Sequence, residues 1–231
     1  MPAANWADSL NIYCERLVPE FWAEPINAIT NLSFIVGAVF AYRLGRQKQA
    51  NTLGFYWLVT MLFAIGIGSF LFHTFANVWS MYADIVPINL FQLGFIALYG
   101  GLIGRQLGIS PWLGSLLSLI GFILLTIGLA QFPQDAFNGS IRYASSYISL
   151  LLIGIYHARI FQEEKYTLLL ATVCFTFSLT FRSFDMVLCE RFAMGTHFLW
   201  HLINGYVLYL VIKAYIGALN SGQKSFKHTG S

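Results

Sequence analysis

The stretch Gly195-Thr-His-Phe-Leu-Trp-His-Leu-Ile-Asn-Gly205, continued by Tyr206-Val-Leu-Tyr-Leu-Val-Ile212, decides how the rest of the chain is read. Its apolar run, from 194 to 216, exceeds the ~20 residues a helix needs to cross a bilayer. Yet it opens with two histidines four residues apart. That spacing puts both imidazoles on one helix face, a common way to offer two nitrogens to one metal. Polar ionisable groups inside an apolar span are costly and mark function. A third histidine, His73, stands near the end of another apolar run, with Ser69 one turn before it and Asp84 shortly after. Three neutral imidazoles leave a fourth tetrahedral position for water, whose pKa a zinc ion lowers to about 7. With a carboxylate and a hydroxyl nearby, the set has the make-up of a hydrolytic zinc site.

Composition agrees with a membrane setting. The 231 residues are 57% hydrophobic and 10% charged, with a mean hydropathy of +0.65. That excludes an ordinary soluble domain, and a net charge of +3 gives no case for a nucleic-acid partner. Residues 1–25 carry Asp8, Glu15, Arg16, Glu20 and Glu24 without an apolar core run, so no cleavable signal peptide is expected and the first span serves as its own signal.

Apolar runs of about spanning length fall at 26–43, 54–76, 84–103, 112–131, 145–161, 166–181 and 194–216. The expectation is an all-α membrane protein: one domain over 1–231 with seven transmembrane helices, a segment 1–25 outside and a cytoplasmic tail 217–231. Placing the N-terminus outside collects Arg43, Arg46, Lys48, Arg105, Arg159, Lys165, Lys213, Lys224 and Lys227 on the cytoplasmic side. It leaves Arg16, Arg142, Arg182 and Arg191 outside, which satisfies the positive-inside rule and puts the C-terminus in the cytoplasm. In that topology Ser69, His73, Asp84, His197 and His201 converge near the outer face. Cys14 and Cys189 share that side, where oxidation is permitted; Cys174 lies within an apolar run and reads as a small buried hydrophobe.

Each candidate also has a plainer reading. Asp84 suits general acid–base work, and as the opening residue of the third run it also suits an N-cap. Ser69 could steady an oxyanion or be a small packing residue beside Gly66 and Gly68. His157 and His228, without polar companions, read as solvated surface residues. Glu24, Asn27 and Asn31, in Glu24-Pro-Ile-Asn-Ala-Ile-Thr-Asn31, read as interhelical hydrogen-bonding groups. Two rival classes share the scaffold: a receptor or sensor with a non-catalytic zinc, and a haem-binding redox protein that uses the histidine pair.

The motifs resemble those of the alkaline ceramidase family, within the wider group of seven-helix membrane hydrolases that includes the adiponectin-receptor type proteins. The likeness rests on Gly68-Ser-Phe-Leu-Phe-His73, Asp84-Ile-Val-Pro87 and His197-Phe-Leu-Trp-His201 with Gly205. Tyr13-Cys-Glu15, Glu24 with Asn27 and Asn31, and Asp185-Met-Val-Leu-Cys-Glu190 extend it over nearly the whole chain. The resemblance implies that His73, His197 and His201 hold zinc, that Asp84 handles the zinc-bound water, and that Ser69 assists the oxyanion. It implies a membrane lipid substrate, ceramide or a related N-acyl lipid, cleaved at the amide to a fatty acid and a sphingoid-type base. Family members of the eukaryotic type also bind calcium through an acidic N-terminal segment. Here Glu15 and Glu24 match that segment only in part, since Ile12 and Leu17 offer no side-chain ligand. Short loops and compact tails resemble bacterial members, which implies the inner membrane of a bacterium. A disulfide between Cys14 and Cys189 follows from the resemblance and their shared side.

Overall fold

The computed structural model describes residues 5–228, with side chains described through Ser221. Seven long helices follow one another. They are α1 (Pro25–Gln47, interrupted at Asn31), α2 (Leu53–Phe75), α3 (Val78–Gln106), α4 (Pro111–Leu129), α5 (Ala144–Ile160), α6 (Thr167–Leu188) and α7 (His197–His228). Among the described residues the only β-pairing is an isolated bridge between Ser9 and Asn77. Six of the helices are long and apolar enough to cross a membrane. The seventh, α5, has 17 residues, a rise of about 26 Å at ~1.5 Å per residue; a 3₁₀ turn at Ser140–Tyr143 leads into it. Exposed apolar side chains such as Leu117, Leu124 and Ile127 of α4 and Val173 and Phe177 of α6 would be a liability in water. On a multi-pass membrane protein they face lipid.

Helix starts follow local chemistry. The Thr52 hydroxyl accepts from the Phe55 N–H to open α2, and Ser110 does the same from Leu113 for α4, with Pro111 at the first position. α1 has no cap of its own: the Glu15 carboxylate, from the preceding segment, accepts from the N–H groups of Ile26 and Asn27 at 2.7 and 2.8 Å, where negative charge suits a helix N-terminus.

Several expectations are corrected here. α3 begins at Val78 and is opened by a reciprocal capping box between Asn77 and Ser80. Asp84 therefore sits in the second turn of α3 and is not its cap. α6 extends beyond the expected 181 to Leu188, so Arg182 is a buried helix residue and not an outer-loop charge. His157 is fully buried, 3.2 Å from the Tyr99 hydroxyl and 3.1 Å from the Glu164 carbonyl; the polar companions that keep it there come from other elements, invisible along the sequence. His228 lies where side chains are not described. α7 runs on through much of the expected tail 217–231. Asn27 and Asn31 bond within their own segment, to the Glu24 carboxylate and the Asn27 carbonyl, and not across helices.

α7 is the most buried of the six spans and α4 the least. α7 packs against α6, α1 and α2. Its crossing with α1 is tight: a Cβ on Gly37 would lie 2.8 Å from the Gly205 carbonyl oxygen, and the Ser33 hydroxyl donates to the His201 carbonyl at 2.7 Å. Together α1, α2 and α7 enclose a core that includes Phe55, Leu58, Leu62, Ile212 and Ile216.

The segment before α1 folds back over the end of the bundle that carries His73 and His197. Leu10 N–H donates to the Ala76 carbonyl, and Val78 N–H to the Asp8 carbonyl. Cys14 and Cys189 are joined by a disulfide. It ties this segment to the turn between α6 and α7. In oxidised protein, alkylation without reductant is expected to modify Cys174 at most. All three cysteines should react after reduction and unfolding, and labelling of Cys14 or Cys189 before reduction would contradict the bridge.

Candidate functional site

Two helices deliver the three histidines. His73 comes from the last turn of α2, and His197 and His201 from the first two turns of α7. Each offers a ring nitrogen, and the three nitrogens lie within 4.8 Å of one another. The residues are 1–2% exposed. His73 Nε2 and His197 Nδ1 are buried with no hydrogen-bond partner, a costly condition for polar atoms unless something else engages them. The other nitrogens of two rings are held. His73 Nδ1 meets the Glu24 carboxylate, and His201 Nδ1 lies 3.1 Å from the Thr30 hydroxyl. A carboxylate or hydroxyl on the far nitrogen is the usual support of a metal-binding imidazole, fixing its tautomer and orientation. By donor chemistry and by these orphaned atoms, the three histidines fit a zinc ion. Ring centroids 4.6 to 5.2 Å apart leave no slot for a flat macrocycle between them, which disfavours the haem alternative.

Asp84 reaches the same place from α3. It interacts electrostatically with His73, and its Oδ1 is buried without a partner. Ser69, one turn before His73, adjoins the Asp84 carboxylate. What allows this is Gly68. A Cβ there would lie 2.0 Å from the Ala83 carbonyl oxygen and 3.1 Å from the Asp84 N–H nitrogen, so the α2 and α3 backbones touch at this point. Gly68→Ala is expected to force the two helices apart, with a loss of roughly 1–3 kcal/mol in stability from overpacking. A thermal denaturation midpoint in detergent equal to wild type would contradict the close crossing. All five expected residues, Ser69, His73, Asp84, His197 and His201, are thus brought to one end of the bundle.

A second layer of residues holds this arrangement. Arg16, 3% exposed, pairs with the Glu24 carboxylate that meets His73. It also donates to the His73 carbonyl at 3.1 Å. Asp185, fully buried at the end of α6, accepts from the N–H groups of Cys14, Thr196 and His197. It thereby supplies the anionic cap for α7 from a neighbouring helix and fixes the backbone of a candidate ligand. Tyr13 stacks on His197 with ring centroids 3.7 Å apart. Burial pushes its phenol up to about 12, so it stays neutral at physiological pH. Glu15 and Glu24, the two partial matches to a calcium site, spend their carboxylates on the start of α1 and on Arg16 and His73. Tyr13, Glu15, Glu24 and Asp185 had a sequence signal, as parts of motifs; nothing in the pattern pointed to Arg16 or singled out Thr30.

Beside the histidines lies an apolar cavity walled mainly by Phe34, Phe91, Tyr143, Phe175 and Trp200, with Gln92, Ser146 and Asn204 as scattered polar points. It adjoins the cluster: Phe34 is 6.3 Å from His201, and Trp200 is 6.5 Å from His197, centroid to centroid. An apolar chain could lie here with its polar end at the histidines. In comparison with known proteins, the model of the family described as Ceramidase matches residues 8–229, and no curated protein matches the chain.

Proposed function

Because the chain belongs to the Ceramidase family, whose model spans nearly all of it, we propose that it is a zinc-dependent membrane amidohydrolase. Its substrate is ceramide or a related N-acyl lipid, cleaved to a fatty acid and a sphingoid-type base. Family membership implies a hydrolase acting on amide bonds; the zinc and the substrate are the further steps of this reading. The observation that carries it is the meeting of three buried histidines, two with unpartnered nitrogens, and a carboxylate with an unpartnered oxygen, beside an apolar cavity.

His73, His197 and His201 would hold the metal, supported by Glu24 and Thr30. When bound, zinc supplies a Lewis acid for the amide carbonyl and acidifies water to near-neutral pH. Asp84 accepts the proton released by the attacking water and passes it to the departing nitrogen. Ser69, beside it, orients that carboxylate or donates to the oxygen that gains charge. The cavity wall of Phe34, Phe91 and Phe175 takes the acyl chain, and the N-terminal segment, through Tyr13, shields the His197 ring. The chain sits in the membrane as one seven-helix domain, N-terminus outside and C-terminus inside, in the inner membrane of a bacterium; the basic connections at one end support that orientation.

Purified protein is expected to carry about one zinc per chain, as a three-histidine site holds one ion, and to release fatty acid from short-chain ceramide analogues. Zinc without turnover on ceramides or other acyl amides would overturn the enzyme reading in favour of a receptor or sensor.

A further inference from the structure

Arg182 is a buried cation that the chemistry above does not use. It lies in the membrane-spanning helix α6 and is 8% exposed. Arg16 pairs with Glu24 and Lys213 with Glu164, whereas Arg182 makes no ion pair among the described residues. The nearest carboxylate in sequence, Asp185, is occupied by three backbone N–H groups. Asp84 acts on the guanidinium only from beyond ion-pair distance. The guanidinium carries five N–H donors. One nitrogen, Nη1, donates to the Tyr13 hydroxyl at 3.3 Å, while Nε is buried without a partner.

Its surroundings place it at a junction. The guanidinium carbon lies 5.8, 5.6 and 5.5 Å from the rings of Tyr13, Tyr143 and Trp200. Tyr143 and Trp200 wall the apolar cavity, and Tyr13 stacks on His197. The charge therefore sits where the cavity wall meets the histidine cluster. Aromatic faces soften the cost of burying a cation, but a desolvated charge with a free donor is complemented fully only by an anion.

We propose that Arg182 is the carboxylate-binding element of this site, and that it takes the carboxylate of the released fatty acid while the alkyl chain still fills the cavity. This rests on the amidohydrolase reading. An N-acyl lipid enters with a neutral amide. Cleavage breaks the C–N bond and joins the water oxygen to the acyl carbon. One water proton goes to the leaving nitrogen, and the other passes from the acid group to the freed amine, leaving a carboxylate and an ammonium. Negative charge thus arises on the acyl fragment only after cleavage, and an otherwise unpaired cation set against the Tyr143 and Trp200 rings of the cavity wall matches that fragment and not the substrate.

The test compares equilibrium binding of radiolabelled palmitate and of hexadecanol, equal in chain length, to zinc-loaded protein. Wild type is compared with Arg182→Gln, which keeps a donor for the Tyr13 hydroxyl but no charge, and with Arg182→Lys, which keeps the charge. Wild type is expected to prefer palmitate. Arg182→Gln should lose at least about tenfold of that preference, the scale of one charged hydrogen bond, with hexadecanol binding and zinc content unchanged. Arg182→Lys should keep most of it. A palmitate-to-hexadecanol ratio in Arg182→Gln equal to wild type would overturn the proposal, since zinc contributes equally to both proteins. So would parallel loss of both ligands in Arg182→Gln and Arg182→Lys, the sign of a purely structural role. Binding needs no turnover. An Arg182-dependent preference in a protein that hydrolyses nothing would refute the amidohydrolase reading alone, and normal hydrolysis with an Arg182-independent ratio would refute the carboxylate site alone.

Discussion

Asp84→Asn is expected to lower amide hydrolysis by ~10²–10⁴-fold, the usual contribution of a positioned general acid–base group, while zinc content stays at the wild-type level. Asparagine is nearly isosteric but cannot take up the proton of the attacking water. The start of α3 should be unaffected, because Asn77 and Ser80 make that cap and Asp84 lies in the next turn. The side chain's Oδ1 has no hydrogen-bond partner to lose. Fatty-acid release and metal analysis on the same preparation check both halves. Wild-type turnover in Asp84→Asn would remove Asp84 from the chemistry. Loss of zinc together with activity would instead make it part of the metal's support.

His201→Ala is expected to empty the metal site. Two remaining imidazoles make a poor zinc ligand set, and affinity at such a site depends on every donor being present. Metal content should fall from about one zinc per chain to a small fraction, and hydrolysis with it. The supporting layer predicts a graded series beneath this. Thr30→Ala, which frees His201 Nδ1, and Glu24→Gln, which alters the partner of His73 Nδ1, should each weaken zinc affinity by roughly 10–100-fold. Competition against a chelator of known affinity measures the series. Full zinc occupancy in His201→Ala would sink the three-histidine assignment, and unchanged affinity in both supporting variants would deny those residues their orienting role.

The helices were legible because a bilayer imposes length and apolarity on its spans, which six of the seven long helices meet, and both can be read along the chain. Where polar residues enter a helix the reading failed. Arg182 and Asp185 made α6 look shorter than it is, although both are buried in the folded chain. Their partners, Tyr13, Trp200 and the start of α7, are distant in sequence, and no local pattern announces them. His157 was misjudged for the same reason, since its companion Tyr99 lies on another helix.

The sequence by itself determined the class of the molecule, the approximate place of every span, and the histidines, aspartate and serine of the candidate site. Hydropathy is a property of consecutive residues, and an i,i+4 pair declares its common face without reference to anything else. The expected topology put them at one end of the bundle, but only the tertiary structure decided that they come within reach of one another. It seats Gly68 against Ala83 to bring α2 and α3 together, carries Arg16 and Glu24 over to His73, and caps α7 with a carboxylate from α6. It also leaves Arg182 outside any ion pair among the described residues. Such contacts depend on which helices become neighbours, and that is settled by packing between segments far apart in the chain, where no local periodicity carries the information.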